Sequence, residues 1–471
     1  MKLKLFLSIP LLLTALAASA QTAKEEIYAD LLKSGSNYMA YQAPNQTLTP
    51  TPKGYEPFYM SHYGRHGSRW LIAENDYSSV MRVFRRANEL GKLTPFGKEA
   101  LEKLERFYPT TKGRLGELSD IGEQQHHGIG RRMTEHFPEI FSGKDAEVDA
   151  RSTVVIRCIL SMTAECEELT AFNPKMKMHN DVSESFQYYL NHNFSQRLRD
   201  ASRDRGNIVS HYGKLYTHPE RFCRALFNDE SYWNDEDFRP RSFMRSVFNV
   251  VTNMQSHSFG EDMWNLFTTE ECYDLWKIVN IDWYLGYGAA PQTGGIMQFN
   301  QADLLHNMIE TTDTVMASKS FKNGATLRFG HEVCVMPLAC LMELDSCGRQ
   351  VQDLDHLEDY WVNYRIYPMA CNIQLVFYRP KNSKPSTLNS KLSTLNSNAS
   401  ALNSQLSTLN SQPSAINSQP STLNSPPILV KALLNEKEAT LPIPTDQYPY
   451  YKWEDLRAYY LKKLEGFEKG R

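Results

Sequence analysis

The stretch SHYGRHGSRW, Ser61–Trp70, sets His62, Arg65, His66 and Arg69 within eight residues. It follows EPFYM, an apolar run that reads as a buried strand. Two guanidiniums flanking an imidazole at a strand end form a local anion site, and ligands of open α/β sheets bind beyond the carboxyl ends of strands. A specified R-H-G-x-R is expected by chance roughly 0.002 times in a chain of this composition, so Arg65-His66-Gly67-Ser68-Arg69 is an informative match.

The chain that must position these residues has 471 residues, 41% hydrophobic and 22% charged, with a net charge of −3. That balance is ordinary for a globular enzyme and lacks the basic excess of a nucleic-acid binder. The first residues, MKLKLFLSIPLLLTALAASAQ, combine two lysines, a short apolar run and a small-residue site at Ala18-Ser19-Ala20. They predict a signal peptide over residues 1–20, cleaved before Gln21, and a periplasmic or secreted protein of bacterial type. The apolar run is short for a spanning helix, and no other segment is apolar enough to predict an integral membrane segment. The eight cysteines are scattered and form no C-x-x-C pair, so they read mainly as small buried hydrophobes and not as a zinc site.

Strands and helices alternate on either side of a helical stretch. Val80, Val83, Phe84, Ala87 and Leu90 follow helical spacing, with Asp76 as a cap and Gly91 as a stop. Thr94 and Pro95 start a second helix. LSDIGEQQHHGIGRRMTEHF reads as a third, DAEVDARS as a strand and TVVIRCILSMTAECEEL as a helix. Residues 171–300 are dominated by aromatic-rich helical segments and read as a helical insertion. The α/β pattern resumes with a helix from Gln301, the strand ATLRFG, the helix VMPLACLMEL, the strands NIQLVFYRP and ILVKALLNE, and a terminal helix. The expected class is α/β, a three-layer αβα sandwich whose halves are residues 21–170 and 301–471. Between the two late strands a seven-residue motif (STLNSKL, STLNSNA and further copies) fills residues 386–427. Its single apolar positions and its prolines exclude a coiled coil, and it reads as a disordered loop.

Four segments in order resemble the histidine phosphatase superfamily, in its acid phosphatase, phytase and multiple inositol polyphosphate phosphatase branch. These are Arg65–Arg69; GELSDIGEQQHHGIGRRM from Gly116, like the family's G-x-L-T-x-x-G-x-x-Q; DARST; and LRFGHE. The resemblance implies a phosphoglycerate mutase-like fold and a phosphomonoesterase without metal or cofactor. It implies His66 as the nucleophile that forms a phosphohistidine, splitting hydrolysis into two easier steps. Arg65, Arg69 and Arg151 would clamp the phosphate oxygens, and His331 would donate to one of them. Glu332 would protonate the leaving alkoxide and then take a proton from water. Acid phosphatases of the branch typically carry His-Asp here, and the inositol polyphosphate phosphatases His-Ala-Glu; this chain has His331-Glu332-Val333.

The remaining histidines read as structural: His62 shares a strand face with His66, and His126 and His127 lie on a helix. Arg157, a turn or two past Arg151, competes for the third clamp position. Arg197, Arg199, Arg203 and Arg205, with Arg82, Arg85 and Arg86, fit the extra phosphates of phytate, although Asp200 and Asp204 among them fit helix self-pairing equally. The substrate is then a small-molecule phosphate ester, an inositol polyphosphate or, alternatively, a sugar phosphate or a broad range of monoesters. A phosphate-ester binding protein without turnover is the alternative of another class, against which intact His66 and Glu332 argue. A mutase fits poorly with export.

Overall fold

The computed structural model describes residues 21–234, 237–381 and 426–469. The expected signal peptide and nearly all of the heptad array lie outside them. Among the described residues eight strands form one sheet: β1 Tyr55–Arg65, β2 Ala146–Ser152, β3 Lys177–Val182, β4 Asn323–Gly330, β5 Asn372–Pro380, β6 Leu429–Leu434, β7 Lys437–Ala439 and β8 Tyr451–Lys452. The order is β3-β2-β4-β1-β5-β6-β7, with β8 also paired to β6. The run β3-β2-β4-β1 is parallel, and β5, β6, β7 and β8 join antiparallel.

Alternation along the strands builds a core on each face. Ile373, Leu375 and Phe377 of β5 meet the helices Ala302–Ala317, Glu332–Met342 and Trp453–Lys469. Val376 and Tyr378 face the helices Asp120–His136 and Ile156–Phe172. The three-layer αβα sandwich expected from the sequence is therefore the fold. All eight cysteines are buried and free.

A third apolar cluster lies off the sheet. It joins Trp70 to Phe107 with residues from Phe222 to Ile278. The helices Glu74–Glu89 and Pro95–Phe107 therefore belong to the helical body, although they precede β2 in the chain. Conversely, β3 falls inside the stretch expected to be helical. Its pattern is half-exposed because it is the sheet edge, and KMHNDV carries no apolar run for sequence reading to find. Thr94 caps the second helix through Gly97 N–H at 3.0 Å, as predicted. Asp76 acts from the third helical position, accepting from Ala73 N–H at 3.0 Å, so this helix begins three residues earlier than a cap at Asp76 implies.

Strand register places the chemistry. Arg65 of β1 pairs with Gly330 of β4, and Ser152 of β2 pairs with Phe329 of β4. Three parallel strands thus end side by side, and the residues that follow them converge on one point.

β5 and β6 pair antiparallel up to Tyr378 and Leu429, so the residues flanking the heptad array are already neighbours. Long surface loops cost stability only logarithmically in their length. Replacing residues 386–425 by a short Gly-Asn turn should leave turnover near wild type and thermal stability equal or slightly higher, measured by melting and by phosphatase rate. A folded variant that has lost substrate affinity would show instead that the array serves the site.

Candidate active site

The loop after β1 is held by its own backbone. His66 N–H donates to Gly330 O at 3.0 Å, and Ala370 N–H donates to His66 O at 3.0 Å. Gly67 N–H donates to Ser161 Oγ at 3.1 Å. Ser68 N–H donates to Gln125 Oε1 at 2.9 Å, while Ser68 O accepts from Ser119 N–H at 2.9 Å and from Ser119 Oγ at 3.0 Å. Ser119 also caps the helix Asp120–His136. The crossing is tight: a Cβ on Gly67 would sit 2.3 Å from Gly122 O, and one on Gly122 would sit 2.2 Å from Ser68 O. The segment Gly116–Gln125 is thus the clasp of the histidine loop. Leu118, Ser119, Gly122 and Gln125 fall at a spacing that lets each touch, cap or make room for that loop.

His66 is wholly buried, and its Nδ1 lies 2.9 Å from Gly67 O. A carbonyl only accepts, so Nδ1 carries the hydrogen and Nε2 presents a lone pair. Nε2 has no hydrogen-bond partner. Burial first, then the charges of Arg157, Arg65 and Arg69, push the His66 pKa well below its ordinary value, which keeps the ring neutral.

Around that nitrogen lie guanidinium groups with spare donors. Arg65 is anchored by Nη1 on Asn37 O at 2.6 Å and Tyr367 O at 3.2 Å, leaving Nη2 without a hydrogen-bond partner. Arg69 is anchored by Nη1 on Trp70 O at 2.9 Å, with Tyr38 beneath it at 5.5 Å, and its Nε is unpartnered. Arg157 holds Gly116 O at 3.3 Å through Nη1 and leaves Nε unpartnered. Each arginine spends one corner on the scaffold and turns another toward an anion that would satisfy it.

Glu332 occupies the centre of this ring. Its Oε2 is 3.1 Å from Arg65 Nε and 3.7 Å from His66 Nε2. Burial pushes its carboxyl up, but Arg65, Arg69 and His331 outweigh that and hold it at about 2. His331 stacks edge-on to His66 with centroids 5.6 Å apart, and burial together with Arg157, Arg65 and Arg69 lowers it to about 4 against the pull of Glu332. Both residues follow β4, Glu332 opening the helix Glu332–Met342. Ligand atoms of His66, His331 and Glu332 lie within 4.8 Å of one another, a spacing that suits a metal ion. The three arginines crowding the same point make the field one for an anion instead.

Arg151 does not join the site. It lies within β2 and pairs with Asp149 at 2.9 Å, two residues back on the same strand face, with Tyr189 Oη at 3.2 Å and Phe186 under the guanidinium at 4.4 Å. Arg157, in the first turn after β2, supplies the third guanidinium in its place. The signal was present in the sequence: a residue inside a strand points off one face, whereas one just past its end can point over it. The cluster in the helical body is also self-engaged. Arg203 pairs with Asp200 at 2.8 Å and Arg205 with Asp282 at 2.8 Å, while Arg197 donates to Phe467 O at 2.9 Å. Arg85 is paired to Glu105 and Arg86 to Glu89.

His126, expected to be structural, is buried against the loop. Its Nε2 lies 3.0 Å from Arg65 O and its Nδ1 3.0 Å from Glu165, a carboxyl that burial pushes up. His62 is buried beside it, 4.0 Å from Glu165, and burial lowers it to about 3. His127 pairs with Glu168 on the outer helix face.

Solved inositol polyphosphate phosphatases and a solved phytase share this fold. The multiple inositol polyphosphate phosphatase of Bifidobacterium longum in complex with inositol hexasulfate matches with a TM-score of 0.66 and 15% identity, covering 91% of this chain and 97% of that one. The same protein with phosphate matches at 0.66 and 16% identity over the same shares. The phytase from D. castellii matches at 0.65 and 14% identity, covering 96% of this chain and 89% of that one. No family model and no curated protein matches the sequence. The likeness is therefore one of fold.

The two arginines of the strand and helix separate cleanly by experiment. Arg157→Ala should weaken binding of inorganic phosphate by roughly ten- to a hundredfold, the worth of a charged hydrogen bond, whereas Arg151→Ala should change it by less than about threefold. Calorimetry decides, and the opposite ranking would return Arg151 to the site.

Proposed function

We propose that the chain is a phosphomonoesterase that works through a phosphohistidine on His66 and takes inositol polyphosphates as substrates. The observation that carries this is the buried Nε2 lone pair of a neutral histidine ringed by unpartnered guanidinium N–H groups of Arg65, Arg69 and Arg157. The shared fold with proteins solved with inositol hexasulfate and with phosphate supports the substrate class.

A phosphate monoester would replace the Glu332 carboxylate on Arg65. Its dianion repels that carboxylate, raising the affinity of Glu332 for a proton. His66 Nε2 then attacks phosphorus, the P–O bond to the alcohol breaks, and the leaving oxygen takes the Glu332 proton. In the second half water attacks the phosphohistidine, Glu332 accepts its proton, and the P–N bond breaks to return His66. The arginines neutralise the charge that builds on the equatorial oxygens, and His331, at the rim of the same group, donates to one of them.

Quenching turnover with labelled substrate under alkaline conditions should trap an acid-labile phosphoenzyme that His66→Ala lacks. Glu332→Gln should slow an alkyl phosphate at least ~100-fold more than p-nitrophenyl phosphate, whose leaving group needs little protonation. Turnover without the adduct would defeat the nucleophile, and equal slowing on both substrates would defeat the acid.

We also propose export, on the strength of the Lys2–Ala20 segment. The mass of the protein recovered outside the cytoplasm should correspond to a chain starting at Gln21. A full-length chain retained inside the cell would refute this.

A further inference from the structure

A cavity of about 490 Å³ opens beside the phosphate site, sharing Asn37 and Tyr38 with it. Asn37 O carries Arg65, Asn37 Nδ2 lies 3.5 Å from Glu332, and the Tyr38 ring lies under Arg69. One wall is the helix Pro240–Met254, whose two faces differ sharply. Phe243, Met244, Val247, Val250, Val251 and Met254 are buried in the helical core. Ser242, Arg245, Ser246, Asn249 and Thr252, at helical spacing on the opposite side, line the cavity. This stripe descends from exposed Ser242 and Arg245 to buried Thr252, and the next residue, Asn253, donates to Arg69 O at 3.0 Å. Ser36 and Trp283 contribute to the facing walls.

The lining is hydroxyl and amide with aromatic surface, and among the described residues it contains no carboxylate and one cation, Arg245. Among the described residues Arg245 has no ion pair, and its guanidinium lies over Gly213, where an added Cβ would approach Nη1 to 3.4 Å. It contrasts with Arg197, Arg203 and Arg205, which their own neighbours engage. Eight residues separate Arg245 from Asn253, about 12 Å along the helix at 1.5 Å per residue. A small polyhydroxylated ring bearing phosphates at two positions spans such a gap.

Resting on the phosphatase reading above, we infer that this cavity holds the alcohol part of the substrate and that Arg245 is a specificity residue, binding a second phosphate of a phosphorylated polyol. The hydroxyls and amides of the stripe hydrogen-bond the ring's free hydroxyls, and Trp283 offers it an apolar face. With one cation available, the cavity reads one additional phosphate, and it does not need the full set carried by a hexakisphosphate.

Arg245→Ala should raise KM for a myo-inositol bisphosphate by about ten- to a hundredfold, leave p-nitrophenyl phosphate and inositol monophosphate within about twofold, and be partly restored by Arg245→Lys. Arg245 is exposed, so the variant should fold. An equal change on mono- and bisphosphate, or none on either, overturns the assignment. Calorimetry with inositol hexasulfate separates this failure from failure of the phosphatase reading. A wild-type chain that turns over no ester yet loses sulfate-ester affinity in Arg245→Ala keeps the subsite and loses the enzyme. Equal affinity in both chains removes the subsite whatever the rates show.

Discussion

The capture of four residues of backbone, Arg65 to Ser68, is the constraint on which the rest of the site depends. β4 and the segment before β5 bind the two sides of His66, while the helices Asp120–His136 and Ile156–Phe172 bind Gly67 and Ser68. An imidazole whose Nδ1–H is committed to Gly67 O has one tautomer and one direction left. Preorganisation of this kind leaves the imidazole itself nothing to rearrange when an anion arrives. It also explains two glycines that have no catalytic part, since the backbones of residues 67 and 122 pass too closely for a Cβ on either.

Burying cationic groups around a neutral imidazole is unfavourable unless an anion compensates. Glu332 lies 3.1 Å from Arg65 and is such an anion, and Arg65 and Arg69 lower its pKa against the opposing effect of burial. A carboxylate offers two oxygens where a phosphate monoester offers more, so the larger anion of the proposed reaction would satisfy the donors on Arg65, Arg69 and Arg157 that have no hydrogen-bond partner. In the reaction we propose, one side chain thus serves as stand-in and, once displaced, as proton carrier. Placing Glu directly after His331, at the first turn of a helix, gives the carboxylate the reach to touch Arg65 and come within 4 Å of His66.

Much of this was legible in sequence because it is local. The strand before the arginine-histidine motif, the Thr94-Pro95 helix start and the strand ATLRFG ending at the second histidine all declare themselves through periodicity and capping. What was not legible depends on direction or on distant pairing. Arg151 and Arg157 are six residues apart, and only the end of β2 between them decides which one overhangs the site. β3 is an exposed edge with no apolar signature, so its membership in the sheet appears only from its pairing with β2. The first two helices look like sheet cover in chain order but pack against residues more than a hundred positions later.

The same logic bears on what the helical body contributes. Its core is apolar and aromatic, which fixes the position of the helix Pro240–Met254, and Asn253 ties that helix directly to the loop through Arg69 O and, by way of Tyr77, to Leu71 N–H. A displacement of the helical body therefore moves the carbonyl of Arg69, beside His66. The Leu31–Tyr38 segment makes a second tie. Ser36 sits at φ 55 and ψ −120, a conformation that L residues rarely adopt, and its Oγ accepts from Asn363 Nδ2 at 2.7 Å. That strained turn delivers Asn37 O to Arg65 and Asn37 Nδ2 to Glu332. In the proposed reaction the sheet supplies the nucleophile and its charge, while the helical body and this turn set where the remainder of a substrate would lie. Change in substrate preference can then accumulate on the polar stripe around Arg245 without touching the backbone that holds His66.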